Sequence, residues 1–181
     1  MEYWRAVQLP FEREARIELL NTFEQQVAAP YKSVVGDARD LSRYGDGEFD
    51  VVFSNSVIGH VGSFSDQQLM ASEMRRVGRY FFLQTPNHGF PLDWRTLVPF
   101  FHFLPVEVQA WCFERFSVGA YCRAGSRAEA IHWASRVRNI RRRELALLFP
   151  GGTVVHERFG GFTKSFIVHN LGPVPQNQPL T

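Results

Sequence analysis

The spacing of apolar residues along the chain predicts alternating helices and strands. From Phe11 to Val27, apolar side chains recur mostly every three or four positions, which is typical of an amphipathic helix that ends before Pro30. Two apolar runs then predict strands: YKSVV at Tyr31–Val35, which Gly36 ends, and FDVVFSN at Phe49–Asn55. Because FDVVFSN is a nearly continuous apolar run, we expect a central strand of a parallel sheet with both faces covered.

The second half of the chain predicts a strand–helix–strand unit and a final hairpin. Ser65 and Asp66 can cap a helix that Gly78 ends, and RYFFLQT follows as a strand. A short helix over Arg141–Phe149 leads to the strands TVVHERF and SFIVH, which a glycine-containing turn joins into an antiparallel hairpin. The pattern predicts an α/β fold: a mainly parallel sheet with an antiparallel carboxyl-terminal hairpin, whose ligands bind at the carboxyl ends of the parallel strands.

Residues 92–138 differ in character from the segments on either side. Their core, LVPFFHFLPVEVQAWCF, is rich in aromatic residues, is interrupted by Pro99 and Pro105, and is too short and broken to cross a bilayer. We expect a helical cap inserted after the strand RYFFLQT. Its aromatic residues either line an acceptor pocket for an apolar substrate or pack as an ordinary core. They are Trp94, Phe100, Phe101, Phe103, Trp111, Phe113 and Phe116.

Composition and charge narrow the class of protein. The 181 residues predict one domain over 1–171 with a flexible tail over 172–181. The hydrophobic share of 45% and the charged share of 21% are typical of a globular protein, and no apolar run reaches the ~20 residues of a membrane span. A net charge of +2 attracts nucleic acid weakly. With no pattern of a secretory signal, we expect a cytoplasmic protein without nucleic-acid or membrane partners.

Two clusters of reactive or charged residues favour structural interpretations. Cys112 and Cys122 lie ten residues apart without a Cys/His cluster beside them, so we expect neither a zinc site nor a disulfide framework. An arginine run precedes and enters the short helix, and it either contacts a phosphate or an acidic partner or forms a solvated helix start. The pattern favours the solvated helix start. The run comprises Arg136, Arg138, Arg141, Arg142 and Arg143.

The stretch VVGDARDLSRYGDGEFDVVFSNSVIGHVG, residues 34–62, resembles the middle of class I S-adenosylmethionine-dependent methyltransferases of the type 11 kind. The resemblance extends over roughly residues 30–170 and implies a Rossmann-like sheet, S-adenosylmethionine as the cofactor and a small-molecule methyl acceptor. The Gly-Asp-Ala turn implies that Asp37 binds the adenine amine and that Ala38 supplies a backbone donor. The segment FDVVFSNSVIGHV is similar to the family's fourth strand and the loop facing the methyl donor, which implies that Asn55, Ser56 and His60 lie there.

Two of these residues keep a second interpretation. Asp37 follows a glycine and also suits a turn cap. His60 is a candidate catalytic residue, because a neutral imidazole accepts a proton from a substrate hydroxyl, but it also suits the capping or packing of its loop. Methyl transfer from a sulfonium is an in-line displacement in which positioning supplies much of the rate, so the chemistry by itself requires no base.

The chain departs from the family pattern near its start. Its first glycine is Gly36, so the glycine-rich loop expected before the matching region is absent. If RAVQL, residues 5–9, is the family's second strand, Gln8 stands where the family carries the acid that binds the ribose hydroxyls, and an uncharged amide binds them more weakly. The resemblance then implies an amino-terminally truncated methyltransferase with impaired or lost activity, in which S-adenosylmethionine binding is weak or lost.

The missing first strand has a structural consequence as well. In the family this strand lies between the second and fourth strands, so its loss leaves two unpaired strand edges and uncovered apolar surface. We expect a homodimer that covers this surface through Phe11, Leu19, Phe23 and the aromatic cap. The alternative to an enzyme is a non-catalytic remnant that serves as a binding or dimerising module.

Overall fold

The computed structural model describes residues 16–172 of the chain. Its strands are β1 (Ile17–Asn21), β2 (Tyr31–Val35), β3 (Phe49–Asn55), β4 (Gly78–Pro86), β5 (Thr153–Phe159) and β6 (Phe162–His169). Its α-helices are α1 (Phe64–Val77), α2 (Val106–Arg115), α3 (Arg127–Ser135) and α4 (Arg142–Leu148). Short 3-10 helices cover Ile58–His60 and Phe101–Phe103.

The described strands form two sheets. β1 and β2 pair in parallel, with Ile17 opposite Tyr31. The second sheet has the order β3-β4-β6-β5, in which β3 and β4 are parallel while β6 runs antiparallel to both β4 and β5. The α/β fold that the sequence predicts, with parallel strands and an antiparallel carboxyl-terminal hairpin, is confirmed.

The main core lies between the four-stranded sheet and the helices α1 and α4. β4 and β6 contribute apolar side chains from one face, and the two helices contribute theirs from the other. The fully buried members include Met74, Leu83, Leu145, Leu148, Phe166 and Val168. Burial of one such side chain stabilises the fold by about 1.5–3 kcal/mol, so this layer fixes the carboxyl ends of β3 and β4 in place.

The cap has a hydrophobic core of its own. α2 and α3 pack against each other and against the 3-10 helix Phe101–Phe103, and they bury Phe101, Phe113 and Ala130 between them. α2 has 10 residues and α3 has 9. Across residues 16–172, no helix is long and apolar enough to cross a membrane.

The amino terminus of α1 begins slightly earlier than the sequence predicts. Ser63, and not Ser65, is the N-cap: its side chain accepts a hydrogen bond from the Asp66 backbone, and the Asp66 carboxylate accepts one from the Ser63 backbone at 2.8 Å. This reciprocal capping satisfies two amide groups at the start of the helix. Gly78 ends the helix as predicted, and a Cβ there would lie 2.7 Å from Cγ2 of Val52.

The helix predicted over residues 11–27 is wrong for residues 16–27, the part that the structure describes. Ile17–Asn21 form β1, and residues 22–30 contain no helix. The apolar spacing suits a helix, but each residue from Ile17 to Asn21 pairs with a residue of the strand Tyr31–Val35, and this long-range pairing overrides the local pattern. The segment 5–9, with Gln8, and Phe11 lie outside the described residues.

The other predicted elements are confirmed, with one difference in their burial. β2, β3, β4, β5, β6 and α4 form where the sequence predicts them. β3, however, does not have both faces covered, since Val51 is 50% exposed and Phe53 is 48% exposed. Among the described residues β3 pairs only with β4, so its other edge faces a cleft. Apart from Gly172, the predicted tail lies outside the described residues.

Candidate functional site

A cleft of about 910 Å³ lies between β1 and β3. Both strands line it, together with the start of the segment that follows β2 and the inner face of α1. In the part of the chain that the structure describes, β1 pairs only with β2 and β3 only with β4, so each strand presents a backbone edge to this space. The sequence predicts unpaired edges on residues 5–9 and on β3; β3 has an open edge among the described residues, but the strand that faces it is Ile17–Asn21.

The walls of the cleft are mostly apolar, with a few polar groups near the strand ends. Ala38 and Leu41 supply apolar surface beside β2. Asn21 ends β1 and donates from Nδ2 to Oε1 of Gln25 at 3.0 Å. The hydroxyl oxygen of Ser54 is buried and has no hydrogen-bond partner among the described residues. A buried hydroxyl without a partner is costly, so this wall can accept a polar ligand group.

Asp37 is engaged by its neighbour Arg39. Its carboxylate accepts the Arg39 backbone N–H at 2.9 Å, the guanidinium Nε at 3.0 Å and Nη2 at 2.6 Å. These bonds from Arg39 lower the pKa of Asp37. The turn-cap interpretation therefore describes Asp37 in this structure. Its neighbour Ala38 lines the cleft, whereas Asp37 is not among the lining residues.

Arg39 joins the Gly-Asp-Ala turn to the start of α1. Its Nη1 donates to Oδ1 of Asp66 at 2.8 Å, and hydrogen bonds from Ser63 and Arg39 lower the pKa of Asp66 to about 2. Asp37, Arg39, Asp66 and Ser63 thus form one continuous polar chain. Sequence reasoning missed Arg39 and Ser63, and the pattern Ser-x-x-Asp before α1 was the available signal for the latter.

The loop after β3 begins at a constrained residue. Ser56 has φ 57°, a left-handed conformation that a non-glycine residue seldom adopts. Its amide donates to the carbonyl oxygen of Gln84 at 2.9 Å, and its Oγ donates to Oε1 of Gln84 at 2.8 Å. Asn55, one residue earlier, lines the cleft. Two of the three residues that the resemblance places near the methyl donor, Asn55 and Ser56, are therefore held at the carboxyl end of β3.

Gln84 extends this contact across the four-stranded sheet. Its Nε2 donates to Oε2 of Glu157 at 3.2 Å, and Glu157 also accepts a hydrogen bond from Oγ of Ser165. The bond from Ser165 lowers the pKa of Glu157. Sequence reasoning missed these three residues. The signal for Gln84 was a polar amide inside the apolar strand RYFFLQT.

His60 lies in the 3-10 helix that follows this loop. Partial burial of its ring and the positive charges of Arg95 and Arg136 lower its pKa. The ring is therefore neutral at neutral pH and can accept a proton. This electrostatic setting is compatible with a proton-accepting role for His60, and His60 is not among the residues that line the cleft.

A second cavity, of about 800 Å³, lies between the cap and the body of the protein. Gly62 and Ser63 line it from the body, and Asn139 lies on the opposite segment. The loop that starts at Asn55 thus borders both spaces: Asn55 and Val57 line the cleft, and the end of the same loop lines the cap cavity. The two spaces share no lining residue, and the segment from Asn55 to Ser63 connects them along the chain.

The aromatic residues of the cap divide into two groups. Phe101 and Phe113 line the cap cavity and are also members of the cap core. The remaining five are roughly half exposed; they are Trp94, Phe100, Phe103, Trp111 and Phe116. Tyr121 and Trp133, which sequence reasoning missed, complete the aromatic wall of the cavity.

Three arginines of the basic run line the cap cavity, namely Arg138, Arg141 and Arg143. Nη2 of Arg138 donates to Oε1 of Glu144 at 2.5 Å. Arg136 and Arg142 are exposed and are not among the cavity's lining residues. Arg141 and Arg143 are exposed as well, so the predicted solvated helix start describes all of the run except Arg138, although these two exposed residues also border the cavity.

The remaining candidate ligands do not form a metal centre in the described part of the chain. Cys112 and Cys122 are free thiols. Within residues 16–172, no group of three or more His, Cys, Asp and Glu side chains is placed to hold a metal ion. The described residues of the site supply amides, hydroxyls, imidazoles, guanidinium groups and carboxylates, the last from Glu18 and Glu24 at the cleft and from Asp93 and Glu144 at the cap cavity.

Comparison with known proteins agrees with the fold and the motif. Residues 10–80 match the family described as a methyltransferase domain. No curated protein sequence matches the chain significantly. A 1,6-didemethyltoxoflavin-N1-methyltransferase of Burkholderia thailandensis, solved with 1,6-didemethyltoxoflavin and S-adenosylhomocysteine, is 14% identical with a TM-score of 0.51. The match covers 88% of this chain and 62% of that one.

Two further solved structures are more distant in shape. A SAM-dependent methyltransferase of Methanosarcina mazei is 13% identical with a TM-score of 0.42, over 80% of this chain and 68% of that one. The magnesium protoporphyrin IX methyltransferase of Synechocystis, solved with S-adenosylhomocysteine, is 12% identical with a TM-score of 0.42, over 77% of this chain and 50% of that one.

The chain spans less than two thirds of the Burkholderia and Synechocystis proteins. The family match and the shared fold nevertheless point the same way as the motif VVGDARDL…FDVVFSNSVIGHVG. The chain resembles the class I S-adenosylmethionine-dependent methyltransferases in the sequence of its first half and in its fold.

Proposed function

We propose that the chain binds S-adenosylmethionine in the cleft between β1 and β3 and methylates a small molecule held in the cap cavity. The observation that carries this proposal is the loop after β3, which borders both spaces. A methyl donor on one side of the loop and an acceptor on the other meet at its residues. The Burkholderia enzyme, solved with a small-molecule ligand and S-adenosylhomocysteine, supports the same pairing of ligands.

The described residues fit the adenosine portion of the cofactor better than its methionine portion. Ala38 and Leu41 supply apolar surface for a base, and the buried hydroxyl of Ser54 and the amide of Asn21 supply polar groups. The approach of a backbone to the methionine portion requires glycine, and none of the described lining residues of the cleft is a glycine. The absence of glycine among these described lining residues favours weak cofactor binding.

The chemistry assigned to the chain's residues is positioning and removal of one proton. When bound, the cofactor supplies a methyl group on a sulfonium. The acceptor's lone pair forms the bond to the methyl carbon as the carbon–sulfur bond breaks. Asn55 lines the cleft and orients the methyl donor at the end of β3, while Ser56 holds the loop in place through Gln84. We assign the proton of a hydroxyl acceptor to the neutral ring of His60, which lies in the segment between the two spaces although it is not among the lining residues of either.

One observation favours the alternative of a non-catalytic binding or dimerising module. Asp37, which the resemblance assigns to adenine, already accepts hydrogen bonds from Arg39 at both carboxylate oxygens. A carboxylate used in this way has less capacity left for an adenine amine. A measurement of cofactor binding by the isolated protein distinguishes the methyltransferase from the non-catalytic module.

Calorimetric titration with S-adenosylhomocysteine tests the proposal. We expect the 181-residue chain to bind with a dissociation constant on the order of 100 µM, because each ~1.4 kcal/mol of lost contact costs tenfold in affinity. Low-micromolar binding would contradict the weakened site. No heat at millimolar ligand would contradict cofactor binding and leave the non-catalytic module.

Two variants, titrated in the same way, test whether the Asp37 carboxylate binds the adenine amine. Asp37→Asn keeps the shape of the side chain and is expected to weaken binding about tenfold, because an amide can turn a donor towards the adenine amine. Arg39→Gln frees the Asp37 carboxylate and is expected to leave binding equal or stronger. Equal losses in both variants would show that Asp37 acts only through Arg39 and would overturn its assignment to adenine.

We also propose that the protein is a homodimer. The edges of β1 and β3 that face the cleft have no strand partner among the described residues, and Phe23 at the cleft is 59% exposed. Leu19 lies beside it on β1. Exposed apolar surface next to open strand edges is most simply covered by a second copy of the chain. Such a copy would occupy the space assigned to the cofactor, so the homodimer belongs to the alternative of a non-catalytic dimerising module.

Light scattering across a concentration series tests this assembly. We expect a dimer mass at micromolar concentration and about a tenfold weaker dimer for Phe23→Glu, because a charge would have to be buried in the interface. Leu147→Glu is the matched control, since Leu147 is 65% exposed on α4 and does not line the cleft. A monomer mass well above micromolar concentration, or equal effects of the two variants, would contradict the dimer.

A further inference from the structure

The cap cavity contains more positive than negative charge. Four of its lining residues are arginines, and two of these have carboxylate partners: Arg95 binds Asp93, and Arg138 binds Glu144. Arg141 and Arg143 have no carboxylate within ion-pair distance among residues 16–172. The Glu144 carboxylate accepts hydrogen bonds from the Arg138 guanidinium and, at 2.8 Å, from the Arg141 backbone N–H, and the charges of Arg138 and Arg141 contribute to its lowered pKa. The Arg141 guanidinium itself makes no ion pair with Glu144 in the described structure.

Buried contacts hold the arginine-bearing segment in position. Gln67 on α1 is fully buried, and its Nε2 donates to the carbonyl oxygen of Arg138 at 2.8 Å. Its Oε1 accepts from Nη1 of Arg138 at 2.6 Å, and the Arg138 amide donates to the carbonyl oxygen of Gly59 at 2.8 Å. The guanidinium also lies over the ring of Phe64 at 4.9 Å. The chain that carries Arg141 and Arg143 is therefore fixed to the loop after β3.

A histidine side chain is either neutral or positive, so the histidines of the cavity cannot balance the charge of its arginines. Burial and the nearby charge of Arg141 lower the pKa of His88, so its ring is neutral at neutral pH. Nε2 of His102 lies 3.0 Å from the carbonyl oxygen of His88, which can only accept a hydrogen bond, so this nitrogen carries the proton. The uncompensated charge of the cavity is that of Arg141 and Arg143.

We propose that the methyl acceptor is an aromatic molecule that carries an oxyanion, a carboxylate or a phosphate, and that Arg141 and Arg143 bind this oxyanion while the ring lies against Phe113, Tyr121 and Trp133. Arginine suits both anions because its planar fork of N–H groups matches their oxygens. This inference rests on the proposed function, since it names the substrate class of the same cap cavity. It replaces the purely apolar acceptor that the aromatic composition of the cap predicts.

Calorimetric titration of the cofactor-free protein with phenyl phosphate, benzoate and inorganic phosphate tests this inference. We expect phenyl phosphate or benzoate to bind with a dissociation constant of about 1 mM or lower, and phenyl phosphate to bind at least about fivefold more tightly than inorganic phosphate. The better of the two aromatic ligands identifies the anion. Benzyl alcohol, which has the ring without the charge, is expected to bind at least about tenfold more weakly.

Variants of the arginine run locate the binding. Arg141→Gln with Arg143→Gln is expected to weaken the better aromatic anion about tenfold or more. Arg142→Gln is the matched control, because Arg142 is exposed in the same run and does not line the cavity. No binding of either aromatic anion, equal binding of benzyl alcohol, or equal losses in the control would overturn the inference.

The outcome is distinguishable from failure of the proposed function. The aromatic anions are titrated without cofactor, so their binding is independent of the cleft between β1 and β3. Binding of S-adenosylhomocysteine without binding of either anion overturns only the substrate class. Binding of an anion without S-adenosylhomocysteine supports the anion site and overturns the methyltransferase activity.

Discussion

Replacing Gly119 with alanine is expected to destabilise the protein by about 3–5 kcal/mol and to lower its thermal midpoint by about 10 °C or more. Gly119 has φ +59°, and a Cβ there would lie 2.4 Å from the carbonyl oxygens of both Arg95 and Thr96. These are backbone atoms, so no side chain can rotate away. The amide of Ala120 donates to the same Arg95 oxygen at 2.8 Å, and a methyl group would push this bond apart.

Gly160→Ala is the matched control for this clash. Gly160 has φ +57° in the turn between β5 and β6, and a Cβ there meets nothing within 4 Å. The two glycines share a backbone conformation and differ in their surroundings. The left-handed conformation by itself costs alanine about 1–2 kcal/mol, so a decrease of about 2–8 °C is expected for the control. The thermal midpoints of both variants are measured by circular dichroism. Equal decreases in the two variants would show that residues 95 and 96 do not restrict the space around Gly119.

The sequence predicts the strands of the four-stranded sheet well because local pattern and tertiary context agree there. β3, β4 and β6 are apolar runs bounded by glycine, proline or polar residues, and the helices α1 and α4 bury one face of their sheet. The failure at residues 11–27 has the opposite origin. There the apolar residues have helical spacing, but Ile17–Asn21 gain a full set of backbone pairs with Tyr31–Val35, and pairing across the chain cannot be read from a local window.

The candidate site is predictable in its motif and not in its polar network. The Gly-Asp-Ala turn and the end of FDVVFSN both lie beside the cleft, as the spacing indicates. The hydrogen bonds from the Arg39 guanidinium to Asp37 depend on the rotamers of both side chains, which the sequence does not predict. The position of Arg141 and Arg143 at the cap cavity depends on how the cap packs against the body of the protein. The local sequence pattern does not predict this packing.

The largest effect expected from a single polar side chain is that of Gln67→Met. Gln67 is fully buried, and its amide donates to the carbonyl oxygens of Ile58 at 3.1 Å and Arg138 at 2.8 Å. Its Oε1 accepts from the guanidinium of Arg138 at 2.6 Å. Methionine matches the length of the side chain but can neither donate to the carbonyls nor accept from the guanidinium in the same way. Unfolding in urea is expected to show a loss of about 2–4 kcal/mol, because buried groups then lack partners.

Gln68→Met provides the control for this loss. Gln68 is the next residue of α1 and is exposed, so the same exchange of glutamine for methionine removes no buried hydrogen bond. Its effect is expected to stay within about 0.5 kcal/mol. Because Gln67 ties the loop after β3 to the segment that carries Arg141, the Gln67→Met protein should also bind the aromatic anion more weakly while it remains folded. If the two variants lose the same free energy of unfolding, the hydrogen bonds of Gln67 do not hold Arg138 against the loop after β3.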